Sequence, residues 1–176
     1  MQDIIKNLLD IENNIKDNLN KLNINNYPKI IAVSKTFKID KILPLIEYGH
    51  IDYGENKVQE AVEKWTSIKN NHKHIKLHLI GKLQTNKVKF ILPLFDYIHS
   101  LDNLKLAEKI SKEQDKKNFK PKLFVQVNIG EEPQKGGIEV SNLENFYKKC
   151  VEEFKLNIIG LMSIPPFDKD SKPYFI

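Results

Sequence analysis

Ile4, Leu8, Ile11, Ile15, Leu19 and Leu22 follow one another at gaps of three and four and draw a single apolar stripe on a helix over residues 1–22. Asn23, Asn25 and Asn26, followed by Pro28, end that helix. Lys29-Ile30-Ile31-Ala32-Val33 is short, apolar and β-branched, the pattern of a buried strand. The chain then alternates. Helices are predicted over 39–48, 55–68, 84–94, 102–117 and 141–154, and strands over 50–53, 75–80, 96–99, 122–129 and 156–162. Val58, Ala61, Val62 and Trp65 share one side of the 55–68 helix, and Pro93 is expected to bend the 84–94 helix. Asp102 stands before Leu104, Leu106, Ala107 and Ile110 as the expected N-cap. Pro165-Pro166 breaks the chain after the last strand.

Strand–helix alternation with short connections implies a parallel sheet in a single domain over residues 1–176. Right-handed crossovers leave an open doubly wound sheet or a barrel. No Gly-x-Gly-x-x-Gly follows the first strand, which removes the main support for a dinucleotide site. The six predicted strands fall short of an eight-stranded barrel. The hydrophobic pattern leaves both outcomes open.

Composition narrows the function classes. Apolar residues make up 40% and charged residues 29%, ordinary values for a soluble globular protein, and a cytoplasmic protein is expected. No apolar run approaches the ~20 residues that span a bilayer. The early charges Asp3 and Lys6 do not fit a signal peptide. Cys150 is the sole cysteine, so neither an intrachain disulfide nor a thiolate metal cluster is available. The net charge is +5, carried entirely by lysine. The lysines are scattered among acids, and the arginine forks that read base edges are absent, so no nucleic-acid partner is expected.

Parallel α/β proteins carry function at the carboxyl ends of their strands. There the chain places Ser34-Lys35-Thr36, Gly54-Glu55-Asn56, Gly81-Lys82 with Gln84 to Lys87, His99-Ser100, Gln126 with Asn128, and Met162-Ser163. Lys35 is unusual. A lysine closing a buried strand must have its charge paired or lost, and partial desolvation would free its amine for a Schiff base with an aldehyde. A lysine reaching from the strand end to solvent is the competing reading. His72, His74 and His78 lie close together but lack a carboxylate or cysteine companion, a poor metal set. Gly81 to Lys87 lacks the spacing of a phosphate-binding Walker loop. Gly136-Gly137 reads as a turn, and Cys150 and Trp65 read as packing.

Taken in order, these strand ends resemble the pyridoxal phosphate (PLP) homeostasis family. Ala32-Val33-Ser34-Lys35-Thr36 resembles its AVSKT motif. Tyr53-Gly54-Glu55-Asn56 with Val58-Gln59-Glu60 resembles FGENYVQE, with Lys57 for the usual tyrosine. Leu77 to Lys87 resembles WHFIGxLQxNK, with Leu77 for tryptophan. Ile98 to Asp102 resembles VHSLD, Gln126 to Gly136 resembles QVNxxxExxKxG, and Gly160 to Pro165 resembles GLMxIP.

The resemblance implies a (β/α)8 PLP-binding barrel of the alanine racemase N-terminal type. About six βα units of it are present. It also implies vitamin B6 homeostasis without an established turnover reaction. Lys35 would hold the cofactor as a Schiff base, and Asn56, His78, Gln126, Asn128, Met162 and Ser163 would line the pocket. Gln84, Asn86 and Lys87 would shape its rim. A monomer that passes PLP to apo-enzymes is expected. A racemase-like enzyme and a non-functional fragment are the alternatives. The family pattern continues with two further βα units and a GSTxVRxG-like phosphate loop, so the chain is expected to be a barrel truncated at its C-terminus.

Overall fold

The computed structural model describes residues 2–132, 134–167 and 170–175. Among the described residues six strands form one sheet in the order β1-β2-β3-β4-β5-β6, every neighbouring pair parallel. They are β1 (Ala32–Val33), β2 (Asp52–Glu55), β3 (Lys76–Leu79), β4 (Tyr97–Leu101), β5 (Lys122–Gln126) and β6 (Ile158–Met162). The helices are α1 (Gln2–Lys21), α2 (Ile39–Tyr48), α3 (Val58–Asn71), α4 (Val88–Ile91), α5 (Leu104–Lys117) and α6 (Leu143–Lys148). Sequential order decides what periodicity left open. A doubly wound sheet reverses its strand order part-way, whereas same-handed crossovers between successive neighbours put every helix on one face. The result is an arc of a barrel, with helices outside and a concave face inside. Among the described residues the arc is not closed: β1 and β6 each pair on one side only.

The outer face carries the core. Register sets Tyr53 beside Leu77, Leu79 beside Ile98, and Ile98 beside Leu123; all five side chains are fully buried beneath the helices. Ile42, Leu45 and Ile46 of α2, Ala61 and Trp65 of α3, and Leu106, Ala107 and Ile110 of α5 supply the facing layer. The spacing of each set follows one helical stripe, which is why these segments are helices that pack rather than strands. Tyr53 and Trp65 meet ring to ring at 4.9 Å.

Several boundaries move from their predicted places. The first strand shrinks to Ala32–Val33, because an edge strand is held from one side only. The predicted 84–94 helix becomes a 3₁₀ turn at Thr85–Lys87 followed by the single α turn of α4, ending before Pro93, which cannot continue the backbone ladder. The predicted 141–154 helix is α6 with a 3₁₀ turn before it and a π turn, Lys149–Glu153, after it. Asn103, not Asp102, is the N-cap of α5. Its extended backbone brings Oδ1 within 2.8 Å of the Leu106 N–H, while Asp102 Oδ1 accepts from the Asn103 amide at 2.7 Å. The α1 stripe is buried only in part: Leu8 is in the core, whereas Ile11 and Leu22 are exposed.

Candidate functional site

The concave face is read from register. Val33 pairs with Gly54, Gly54 with His78, and His78 with Tyr97, so all four face inward. Two residues on, His99 stacks on Phe124 with ring centroids 4.4 Å apart, and Phe124 is level with Gly160. Gln126 and Met162 pair at the carboxyl ends of β5 and β6. Gly54 allows close packing on this face, because a Cβ there would stand 3.1 Å from Ile31 Cγ2 and 3.3 Å from Ile80 Cδ1.

A hydrogen-bonded chain crosses the concave face. Asp52 Oδ1 lies 2.9 Å from His78 Nε2, and His78 Nδ1 lies 2.9 Å from His99 Nε2. A carboxylate only accepts, so His78 carries its proton on Nε2 and offers a lone pair at Nδ1. His99 Nε2–H then donates, which leaves His99 Nδ1 as an acceptor. His78 also lies flat on Tyr97, with centroids 4.2 Å apart and planes 2° from parallel. Burial pushes the His99 imidazole down to about 4, with His78 adding to the shift. Burial lowers His78 as well, outweighing the Asp52 carboxylate that favours its charged form. The pair is therefore neutral near pH 7, in tautomers fixed by Asp52.

The expected site residues divide between the two ends of the arc. Lys35 follows β1 and, by alternation from Val33, belongs to the inner side. It is exposed rather than desolvated as expected, because β1 is an edge strand. Asn56 is exposed just beyond β2 and lies against the end of β3; a Cβ on Gly81 would stand 2.2 Å from its carbonyl oxygen and 2.7 Å from its Oδ1. His78 is buried at the centre. At the other end stand Gln126, Asn128, Met162 and Ser163, all partly buried. The Gln126 amide donates to the Gly136 carbonyl at 2.9 Å. Asn128 is taken up by its own loop, donating to the Glu132 carbonyl and accepting from the Glu132 N–H. Among the expected rim residues, Gln84 is exposed, Lys87 is partly buried, and Asn86 lines a groove of about 290 Å³ against Lys105, Lys109 and Lys112.

Asp52, Tyr97 and Phe124 were missing from the expected set, and His99 stood in it only as a strand-end residue without a pocket role. Their signal was present in part: period-two alternation puts Tyr97 with His99, and Phe124 with Gln126, on the faces that hold other polar site residues. The Asp52–His78 pairing spans 26 residues and needs the β2–β3 register to appear.

A concave parallel sheet, helices outside, and polar and aromatic side chains on its inner face define the barrel class to which the chain is assigned by comparison. The chain belongs to the alanine racemase N-terminal domain family, matching it over residues 7–175. It is 38% identical over 153 residues to the pyridoxal phosphate homeostasis protein of Aquifex aeolicus, covering 85% of this chain and 66% of that relative. It is 40% identical over 149 residues to the protein of that name from Buchnera aphidicola, covering 82% and 65% respectively. The chain thus spans slightly less than two thirds of these relatives' length. Among solved structures, it matches PipY of Synechococcus elongatus without PLP at TM-score 0.76 and 32% identity, covering 90% of this chain and 74% of that one. PipY with PLP bound matches at TM-score 0.74 and 31% identity, with the same coverage.

Proposed function

We propose that the chain binds pyridoxal 5′-phosphate for vitamin B6 homeostasis, with Lys35 as the attachment residue. The observation that carries the reading is the placing of Lys35. Lys35 is exposed just past the carboxyl end of β1, where alternation from Val33 assigns it to the inner side, and it pairs with no acid among the described residues, whereas nearby Lys64 is engaged by Glu55 and Glu60. The donor set suits the group: a primary amine without an ionic partner for its aldehyde, and a partly buried His99, its tautomer ordered through His78, as an acceptor beside the aromatic Phe124. The names of the relatives and the PLP bound to PipY support PLP binding.

When bound, the group supplies an aldehyde carbon that condenses reversibly with a primary amine. Lys35 would provide that amine, and a second amine could displace it, which suits delivery to PLP-accepting apo-enzymes. Asp52 and His78 would keep His99 in one tautomer. Asn56, Gln126, Met162 and Ser163 would bound the mouth, and Asn128 would hold the 128–132 loop beside it.

The test is direct. The protein is mixed with PLP, reduced with borohydride and mapped by peptide mass. Label on Lys35, lost in Lys35→Ala, is expected. Label spread over other lysines, or an unchanged visible absorption band in Lys35→Ala, would overturn the assignment.

A further inference from the structure

Lys35 sits in a turn whose geometry its own sequence does not favour. The Phe37 N–H donates to the Ser34 carbonyl at 3.3 Å, so residues 34–37 form a tight turn. Thr36, its third residue, has φ +67°. That position calls for glycine or asparagine, and a β-branched residue there is a backbone outlier. An outlier persists only where its surroundings hold it.

The holding groups come from β2 and α3, on the outer side of the sheet. The Thr36 N–H donates to Glu60 Oε1 at 2.7 Å. On the other flank of Lys35, the Ser34 carbonyl accepts from Lys64 Nζ at 2.9 Å, and Ser34 Oγ donates to Glu55 Oε1 at 2.8 Å. Lys64 bridges the two acids, 2.9 Å from Glu55 and 3.1 Å from Glu60. Glu55 is fully buried, and its Oε1 also accepts from Trp65 Nε1 at 2.9 Å. The residues before and after Lys35 are therefore fixed to one ion triad, while Lys35 itself is left unpaired among the described residues. The Thr36 N–H also holds the Glu60 carboxyl below the ordinary carboxylate range.

We propose that Glu55, Lys64 and Glu60 form a positioning triad that holds the Ser34–Phe37 turn so that the Lys35 amine is presented to the concave face at a fixed angle. This rests on the attachment of an aldehyde at Lys35. In that step the amine nitrogen adds to the carbonyl carbon, a C=N bond replaces C=O, and the oxygen leaves as water. The triad takes no part in the bond changes; it fixes where the nitrogen starts. Glu60 is the testable member because it lies near the surface, so its replacement leaves the core intact.

The experiment compares wild type, Glu60→Ala, Glu60→Gln and Glu63→Ala. Two quantities are read: the rate of borohydride-trapped PLP labelling at Lys35, and amide hydrogen exchange over residues 34–37. Glu63 lies on the same helix and bonds only Gln59 among the described residues, so its variant reports general loosening of α3. Glu60→Ala is expected to slow labelling about tenfold or more, since small misplacements of reacting groups cost that much or more, and to speed exchange at Thr36. Glu60→Gln keeps an acceptor for the Thr36 N–H and is expected to restore both, while Glu63→Ala changes neither. Wild-type labelling and exchange in Glu60→Ala would overturn the triad while leaving Lys35 as the attachment residue, as would equal slowing in Glu63→Ala. Absence of label at Lys35 in wild type would overturn both proposals.

Discussion

His78 Nδ1 stands 2.9 Å from His99 Nε2, joining the neighbouring strands β3 and β4 across the concave face. Two imidazoles at this distance share one hydrogen bond only while one nitrogen of the pair is unprotonated, so the contact requires at least one neutral ring. Burial on the concave face favours that state, and Asp52 orders its tautomer.

A pH dependence follows. The folded-state value of His99, about 4, lies below its ordinary 6.5, so between these the unfolded chain binds more protons than the folded one. The stability associated with neutral His99 is complete above pH 6.5 and is lost as pH falls toward 4. The loss is roughly 2–3 kcal/mol by the acid end of that window. Melting profiles of wild type and His99→Gln, compared from pH 7 to 4, should diverge, with the variant less sensitive to acid. Parallel profiles would refute this role for His99.

Gly81 is required by close approach. A methyl group there would lie 2.2 Å from the Asn56 carbonyl oxygen, a backbone atom that cannot swing aside. Gly81→Ala should therefore cost roughly 2 kcal/mol or more through displacement of the β2 and β3 ends. A denaturant titration reads this as a lower midpoint at unchanged slope.

Lys35→Ala should leave stability within about 0.5 kcal/mol of wild type, because an exposed side chain without an ionic partner contributes little to the fold. The same substitution should abolish labelling by PLP. A large fall in melting temperature would show that Lys35 serves the fold rather than the site.

Cys150 is fully buried, and burial pushes its thiol up to about 12. The thiolate is the reactive form, so an aromatic disulfide reagent should modify the native chain only as fast as the chain opens. Reaction should become rapid in denaturant. Fast modification under native conditions would contradict this packing.

The sequence was informative where one element suffices to show the pattern. The stripes of α3 and α5 were legible because a buried helical face repeats within a few residues, and Ala61 and Trp65 are where that repeat put them. The choice between Asp102 and Asn103 as N-cap was not legible, since both side chains can cap and only the backbone turn at Asn103 decides. The motif residues around Lys35 pointed to the family. The solvent exposure of Lys35 follows instead from β1 having one neighbour, a property of the sheet.

The sequence by itself determined the alternation of strands and helices, the apolar residues that make the core, and the polar residues at the strand ends. Tertiary structure alone decided that successive strands lie side by side, which turns a parallel sheet into a concave arc. Tertiary structure also joined Asp52 to His78 and His99, and Glu60 to Thr36. These contacts span 26, 21 and 24 residues, respectively. Local periodicity is set by the twist of a single element, whereas such pairs depend on the register between elements, which no short stretch of chain encodes.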